Sequence, residues 1–379
     1  MHVTVRRVLV PLTAGAVVVG GAALPAQAAP DLLKQSAVKA AQWQSRQLNA
    51  NGVVYNPQYQ VVDWGLTLDT LIALRATGVK PAVVKKSTAY VAGHVRSYNS
   101  FDDWGQQGVR LAGPTGKLLY VAVATKSNPR KFGKYNLRAE SLGLMVKSGP
   151  DKGRFKDRGT TDNSNTFGQS FNVLGLARSG GVPREAVTFL IRQQCKAGGF
   201  RLSPNQFGTP APTCDKATKP VLDPDSTGIA VQALLAAYKA GDKPAGDAAR
   251  KGALWLKRIQ RKDGSFGGSG PTAASNTNST GLAGQALRAV AATKLVTPKT
   301  AGELRQAANR AGHWVRTHQL TPANAGKARP DVGAIAYNRA ALRTAAEDGI
   351  TQVTRDQWRR ATPQALLVLA RVSLADIGR

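Results

Sequence analysis

Two copies of one short unit decide the fold: QRKDGSF at residues 260–266 and QCKAGGF at residues 194–200. In both copies a large aromatic residue lies five positions before the glutamine, and a glycine and a final Phe follow in the same register. The aromatic residues that begin complete or partial copies are Trp43, Phe189, Trp255 and Trp314. Self-similarity of this kind indicates a repeat architecture.

A second unit opens the apolar segment that follows most of these turns. It consists of an acid or amide, three further residues and a Thr. The pairs are Asp63 with Thr67, Asp162 with Thr166, Asp223 with Thr227, Asn276 with Thr280 and, without the Thr, Asp331 with Ile335. Short polar side chains cap helix N-termini, so each pair predicts a helix start. The 99 residues between Thr67 and Thr166 amount to two repeats, which predicts a degenerate copy over about 114–125.

The two units alternate along the chain and predict two kinds of helix. Segments such as 245–261 are rich in Lys and Arg and can cover a core with one face. The helices opened by the second unit are rich in Ala and Gly, which favours an inner layer. Since no segment alternates convincingly with period two, a sheet is not expected. We therefore predict an all-α (α/α)6 toroid of about six inner and outer helix pairs, forming a single domain over 29–379.

Residues 1–28 have the features of a cleavable signal peptide. Arg6 and Arg7 precede an uncharged apolar run at 8–24, and Ala-Gln-Ala at 26–28 provides a cleavage site. An uncleaved anchor is the alternative. No later apolar run reaches the roughly 18 residues that a bilayer requires. We expect that the mature chain has no transmembrane segment. We also expect that it is secreted or associated with the cell envelope.

The charge and the cysteines add two expectations. A net charge of +30 attracts polyanions, either through a solvated basic surface or at a specific site. An anionic cell-envelope polymer is a possible partner. Nucleic acid is not expected, because aromatic residues do not interleave at base-stacking density with the densest basic stretch, 126–158. The chain has two cysteines, Cys195 and Cys214. An even number of cysteines in an exported chain predicts a disulfide.

The unit at 260–266 resembles the Gln-x-x-Asp-Gly-Ser-Trp repeat of the terpenoid cyclases. The unit at 194–200 is similar to the corresponding repeat of protein prenyltransferase β subunits. Through its repeats the resemblance covers most of the predicted mature chain. It implies an α/α toroid with a central apolar cavity, and it is more specific for the fold than for an activity.

The catalytic motifs of this superfamily are incomplete. Class II cyclases use Asp-x-Asp-Asp, and the matching residues here are Asp223, Asp225 and Ser226. The resemblance makes Asp225 a candidate acid, but Ser226 replaces its usual Asp partner. Helix capping is the alternative role of Asp223 and Asp225. The prenyltransferase zinc ligands have no match in frame, so neither a metal nor another cofactor is expected.

In such a toroid the inner helices are parallel, so their N-termini gather at one pole. We predict that a ligand site lies there. Its candidate residues are Asp63, Trp64, Asp69, Asp162, Asn276 and Asp331. Trp64 could instead be a packing residue, and Asp69 could point into the lumen or cap locally.

Three functions remain open from the sequence. The first is a non-catalytic toroid that binds a small apolar molecule in its cavity or at its polar rim. The second is an enzyme, either a terpenoid cyclase with Asp225 as acid or a glycan-active (α/α)6 enzyme. The third is a basic protein that contacts the cell wall through its surface alone. The missing catalytic motifs favour the first.

Overall fold

The computed structural model describes residues 31–159, 161–204 and 213–379, and residues 32–379 form one compact unit. The predicted signal peptide at 1–28 lies outside the described residues and stays a prediction. Within the described residues, the named strands are β1 (Tyr55–Asn56) and β2 (Val61–Val62), which pair antiparallel. The remaining regular structure is helical, which confirms the predicted all-α class.

The helices form two layers. The inner helices are α2 (Trp64–Thr77), α5 (Ala112–Ala124), α7 (Thr166–Ala177), α9 (Pro224–Lys239), α11 (Thr277–Ala291) and α14 (Arg355–Ala370). The outer helices are α1 (Leu32–Ser45), α3 (Pro81–Gly93), α6 (Leu137–Gly143), α8 (Arg184–Arg192), α10 (Lys243–Ile259) and α12 (Pro298–Arg316). The short helix α4 (Val95–Asn99) follows α3, and α13 (Arg339–Asp348) lies between α12 and α14 in the chain.

The inner helices close into a ring. Each packs against the next inner helix in the chain, and α14 contacts both α11 and α2. The helices approach closely: a Cβ on Gly281 would lie 2.5 Å from the backbone oxygen of Gln364, so only glycine fits there. Closure of six inner helices, each with an outer partner, confirms the predicted (α/α)6 toroid.

Most of the predicted helix caps are present. In α2, α9 and α11 the first residue of the acid-to-Thr unit accepts a hydrogen bond from the backbone N–H three residues later. The bonds run from Leu66 to Asp63 Oδ1 at 2.8 Å, from Ser226 to Asp223 Oδ1 at 2.6 Å and from Ser279 to Asn276 Oδ1 at 2.8 Å. Each satisfies one free donor of a helix N-terminus.

In α2, α9, α11 and α14 a Thr joins the helix to the preceding turn. Thr227 Oγ1 donates to the Asp223 carbonyl at 2.8 Å and accepts from the Phe200 N–H at 2.9 Å. In the same way, the backbone N–H groups of Val54, Phe266 and Ile335 donate to the hydroxyl groups of Thr67, Thr280 and Thr362, respectively. In these four helices the Thr therefore satisfies a buried backbone donor of the preceding turn.

The repeated Gln ties each turn to the next outer helix. Gln260 Nε2 donates to the Gly264 carbonyl at 3.0 Å and to the Ala307 carbonyl of α12 at 2.9 Å. Gln194 bonds the Gly198 and Ala248 carbonyls, and Gln319 bonds the Gly333 and Ser36 carbonyls in the same way. Gly264 has a φ of 92°, and a Cβ there would lie 2.8 Å from the Arg310 backbone. The turn needs this glycine to reach α12.

The register predicted from Asp162 is wrong by three residues. Helix α7 is capped by Asn165, whose Oδ1 accepts from the Gly168 N–H at 3.1 Å. Asp162 instead accepts from Arg154 Nη2 at 2.7 Å. Asp and Asn cap helices about equally well, so only the ion pair with the buried Arg154 decides between them.

The register predicted from Asp331 is also wrong. Asp331 ends a 3-10 turn (Gly326–Asp331), and Ile335 pairs with Gln319 in an antiparallel bridge rather than lying in a helix. Because α13 is inserted in the chain, the inner helix of this repeat begins later, as α14. Thr362 of α14 accepts the turn N–H, as the Thr does in α2, α9 and α11. The degenerate copy predicted over 114–125 is confirmed as α5. Its start is capped by Asp157, whose Oδ1 accepts from the Ala112 N–H at 2.7 Å.

The end of the chain closes the pole at which the inner helices terminate. Tyr120 Oη donates to the Leu374 carbonyl at 3.0 Å, and Gln285 Nε2 donates to the Val372 carbonyl at 2.7 Å. Leu374 and Ile377 are buried among the inner helices. The segment 371–379 therefore seals one end of the ring.

Cys195 and Cys214 form the predicted disulfide, with their Cα atoms 4.9 Å apart. It joins the turn after α8 to the segment that leads into α9. None of the helices in the described part of the chain has the length and apolarity needed to cross a bilayer.

We predict that Thr227→Val lowers the free energy of unfolding by about 1–3 kcal/mol, because the shape is kept while the buried Phe200 N–H loses its acceptor. The matched control is Thr317→Val, whose exposed hydroxyl bonds only local groups and should change stability by less than about 0.5 kcal/mol. Urea unfolding of both variants measures the difference. Equal effects would contradict the role assigned to the Thr tie.

Candidate functional site

Two positions in each inner helix face the axis of the ring. The residue that bonds the preceding turn points outward; it is Thr67, Thr227, Thr280 and Thr362 in α2, α9, α11 and α14, Gln169 in α7 and, by its place in the helix, Thr115 in α5. Residues two positions before or after it are rotated by about 200° and therefore point inward. The residues two before it, which we call second-position residues, are Gly65, Gly113, Phe167, Asp225, Asn278 and Arg360. The residues two after it, which we call sixth-position residues, are Asp69, Lys117, Phe171, Ile229, Leu282 and Gln364. All the second-position residues are at least partly exposed, so the ring is open at the pole where these helices begin. We call this end the open pole.

The sixth-position residues form the floor of the open pole. Lys117 Nζ lies 2.8 Å from Asp69 Oδ1 and donates to the Gly65 carbonyl at 2.9 Å. Burial lowers the pKa of Lys117, but the charge and hydrogen bond of Asp69, together with Tyr98 and Asp63, raise the pKa overall. Asp69 thus points into the lumen, one of the two roles open from the sequence, and it is neutralised there by Lys117.

Below the floor the ring is filled. Tyr120, Gln232 and Gln285 lie one turn further along their helices and are almost completely buried. They bond the C-terminal segment, which seals this end. These side chains occupy the centre of the ring at this level, while a pocket of about 310 Å³ lies beside Gln285 and Val372 of the C-terminal segment. A ligand that enters from the open pole therefore binds above the floor.

A cavity of about 400 Å³ lies at the edge of the open pole, and we call it the rim cavity. Its aromatic wall is formed by Tyr59, Trp64, Tyr98, Phe101 and Trp104. Tyr59 and Trp104 are 68% and 67% exposed, which is unusual for side chains of this size. Exposed apolar groups beside polar ones mark ligand-binding surfaces.

Local structure explains how these aromatic residues converge. The hairpin of β1 and β2 presents Tyr59 at its tip, and Asn56 Oδ1 accepts from the Tyr59 N–H at 3.3 Å. The 3-10 turn (Asp102–Trp104) places Trp104 against Phe101, with ring centroids 5.5 Å apart. Trp64 stacks on His94 at 5.3 Å. Trp64 is therefore both packed on one face and part of the cavity wall.

The rim cavity also carries charge. Asp63 Oδ1 caps α2, while its Oδ2 accepts from Arg360 Nη2 at 2.5 Å. Arg360 lies in α14 two residues before Thr362 and also bonds Asp356. A carboxylate and a guanidinium thus lie beside the aromatic wall and can bond hydroxyl groups of a ligand.

Asp225 lies at the second position of α9 and is largely buried. Its Oδ1 has no hydrogen-bond partner, and a Cβ on Gly268 would lie 2.9 Å from its Oδ2. Burial, together with the charge of Asp223, raises the pKa of Asp225 to about 7, while the Ser279 hydroxyl opposes the shift. Asp225 is therefore a carboxyl group that is partly protonated near neutral pH.

The other predicted site residues have structural partners. Asp223 caps α9 and accepts from Ser269 Oγ at 2.7 Å, and Asn276 caps α11 and is buried. Asp331 is buried and accepts from Trp43 Nε1 at 2.9 Å and Arg355 Nη1 at 2.7 Å. The structure brings only Asp63 and Trp64 of the predicted set into the rim cavity.

Sequence reasoning missed most of the cavity wall. Tyr59, Tyr98, Phe101 and Trp104 lie in segments between the repeats, where no periodic pattern draws attention to them. The available signal was local: three aromatic residues within 98–104 beside two adjacent acids.

We predict that Asp225→Asn changes the pH dependence of stability. The folded pKa of Asp225 is about 7, above the unfolded value of about 3.9, so its contribution to stability falls as pH rises through that window. Relative to wild type, the variant should gain about 2 kcal/mol between pH 5 and pH 8. Urea unfolding at both pH values measures this. The exposed Asp247→Asn serves as control, and equal pH slopes for all three proteins would refute the shifted pKa.

Comparison with known proteins supports the fold. No protein-family model matches this chain, and no curated protein matches its sequence. In structure it is similar to the GH76A α-1,6-mannanase of Salegentibacter sp. HEL1_6 (TM-score 0.62, 12% identity, 91% of this chain and 100% of that chain). It is also similar to the unsaturated glucuronyl hydrolase of Bacillus sp. GL1 (0.55, 12%, 89% and 96%) and to a type II terpene cyclase from Scytonema (0.54, 14%, 91% and 97%). The chain therefore has the α/α-toroid fold that these proteins share.

Proposed function

We propose that this protein binds a glycan at its open pole, with sugar rings stacked on the aromatic wall of the rim cavity. The observation that carries the proposal is the exposure of Tyr59 and Trp104 beside Trp64 in a cavity of about 400 Å³. The C–H faces of a sugar ring are apolar and suit flat aromatic surfaces, while its hydroxyl groups suit carboxylates and guanidinium groups.

A glycan fits this site better than the small apolar molecule expected from the sequence. Pockets for small molecules usually bury most of the ligand surface. The ring is filled at the level of Tyr120, so an apolar ligand would have to remain in the open rim cavity. There it would lie against Asp63 and Arg360 without bonding them. A glycan can use both the aromatic wall and these charges.

The structural neighbours support the same class of ligand. One is described as an α-1,6-mannanase and was solved with α-1,6-mannotriose, and another is described as a hydrolase responsible for the degradation of glycosaminoglycan. At 12% identity these proteins share the fold and do not specify a substrate. With the predicted signal peptide at 1–28, we propose an extracellular or cell-envelope location, where glycans are abundant.

A second candidate function is acid catalysis by Asp225 on the bound glycan. The observation in its favour is a largely buried carboxyl at the open pole with a pKa of about 7 and a free Oδ1. Such a group can donate a proton to a leaving oxygen at neutral pH. A hydrolase of this kind also requires a second carboxylate, and Asp63 and Asp69 are engaged by Arg360 and Lys117. Binding without turnover is therefore our first proposal.

The test is titration of the purified protein with α-1,6-mannotriose and with a β-linked gluco-oligosaccharide, followed by tryptophan fluorescence and calorimetry. We expect saturable binding of at least one sugar, weakened at least about tenfold by Trp104→Ala. Trp104→Phe should retain part of the affinity because it keeps an aromatic face. Val353→Ala removes an 80% exposed apolar group that is not part of the cavity wall and should bind like wild type.

Two outcomes would contradict the proposal. Saturable binding of an isoprenoid alcohol, with no response to either sugar, would restore the apolar-ligand hypothesis. Equal sugar affinity of wild type and Trp104→Ala would place the site elsewhere. Release of reducing ends by wild type, lost in Asp225→Asn, would add the catalytic role.

A further inference from the structure

A second cavity lies at the opposite end of the ring, and its chemistry differs from that of the rim cavity. It has a volume of about 460 Å³ and runs between α3 and the segment 125–133 that follows α5. Arg75, in the last turn of α2, lines it, as does Thr125, which ends α5. We call it the basic groove.

The groove is built from parts of the chain that are rich in positive charge, of which only Arg96, Arg110 and Lys117 form ion pairs within the described residues, with Glu140, Asp102 and Asp69. Residues 70–101 and 104–139 contain twelve Lys and Arg residues and no Asp or Glu. Arg75 Nε donates to the Ala124 carbonyl at 2.9 Å. Lys85, Lys126 and Lys131 line the groove, are exposed, and form no side-chain hydrogen bond or ion pair within the part of the chain that the structure describes.

The groove is held in shape by its backbone. Gly133, at a φ of 59°, presses the segment onto α3, since a Cβ there would lie 2.1 Å from the Ala92 carbonyl oxygen. Lys126 adopts a left-handed conformation, with a φ of 61°, at the end of α5. Glycine usually occupies this position after a helix because side chains are disfavoured there. The fold therefore places a lysine where glycine would be easier.

Thr88 is an independent sign of a ligand. It lines the groove, it is only 6% exposed, and its hydroxyl has no hydrogen-bond partner. A buried Thr within a helix ordinarily bonds the carbonyl four residues earlier. An unpaired buried hydroxyl is unfavourable unless something else bonds it.

We propose that the basic groove binds the phosphate groups of a linear anionic polymer that carries no nucleobases. Lysine ammonium groups suit phosphate as point charges, whereas recognition of planar carboxylates favours the arginine fork, and Arg75 is already bonded to Ala124. The Thr88 hydroxyl can donate to a phosphate oxygen at the base of the groove. The one aromatic residue in its lining, Phe132, is buried and cannot stack on a base.

A purely structural explanation of these cations is attraction to the helix C-termini that end here. Arg75 plays that role through its bond to Ala124. The side chains of Lys85, Lys126 and Lys131 make no such bond within the described residues, so this explanation does not account for them. The proposal does not rest on glycan binding at the open pole.

The test compares binding of a short inorganic polyphosphate of defined length to three purified proteins. These are wild type, a groove variant (Lys85→Ala, Lys126→Gly, Lys131→Ala) and a control variant (Lys251→Ala, Lys294→Ala, Lys327→Ala). The control removes the same charge from exposed lysines elsewhere. At about 50 mM salt the groove variant should lose at least about tenfold in affinity and the control less than about threefold, and the salt dependence should weaken more in the groove variant.

Folding does not confound this comparison, because Lys126→Gly relieves a left-handed residue and should leave the unfolding midpoint unchanged or higher. Thr88→Val keeps the shape and the charge. It should weaken polyphosphate binding about threefold even at about 200 mM salt, where diffuse attraction is screened.

Three results would overturn the proposal. Equal losses in the groove and control variants would show attraction to the overall charge. Tighter binding of mixed-sequence single-stranded DNA than of a polyphosphate of equal charge would point to nucleic acid. The third result is that the protein sediments with vesicles of anionic lipid but does not bind polyphosphate. If the groove substitutions weaken that sedimentation, the groove binds a membrane surface.

Discussion

The structure depends on the turn between each outer helix and the following inner helix, because that turn buries backbone groups that have no partner of their own. A Thr hydroxyl from the inner helix accepts the N–H of the turn, as Thr227 does for Phe200. A Gln amide bonds the carbonyl of the turn and a carbonyl of the next outer helix, as Gln260 does for Gly264 and Ala307. Repetition of these bonds joins each helix pair to the next and allows the ring to close.

Closure has a consequence for where a ligand can bind. Parallel inner helices bring their N-termini and capping side chains to one pole, while the C-terminal segment seals the other through bonds to Tyr120, Gln232 and Gln285. The interior between them is filled by side chains, with Ile229 and Leu282 in the floor. Function is therefore directed to the surfaces of the ring. The aromatic wall at the open pole and the lysines of the basic groove are two such surfaces.

Asp225 shows how position changes the meaning of a residue. Asp223, Asn276 and Asp225 all lie in the first turn of an inner helix, and two of them serve as caps with their side chains fully engaged. Asp225 is two residues past its cap and faces the ring axis. Its burial, together with the charge of Asp223, raises its pKa to about 7. The equivalent residue of the next repeat, Asn278, bonds Gln364 Oε1 at 2.8 Å and carries no charge. The same motif thus contains a helix-capping residue, Asp223, and a carboxyl group with a raised pKa, Asp225.

The sequence by itself determined the class, the ring of repeats and the disulfide, because those follow from spacings that recur along the chain. It also identified Asp63 and Trp64 as residues of the open pole. It could not choose Asn165 over Asp162 as the cap of α7, since both residues cap well and Arg154 decides between them. It also assigned a helix start at Asp331, because the insertion of α13 moved the true helix to Arg355. Most of the aromatic wall, and the convergence of the groove lysines, were decided by tertiary structure, since Tyr59, Tyr98, Phe101 and Trp104 lie between the repeats and Lys85 is distant in sequence from Lys126 and Lys131.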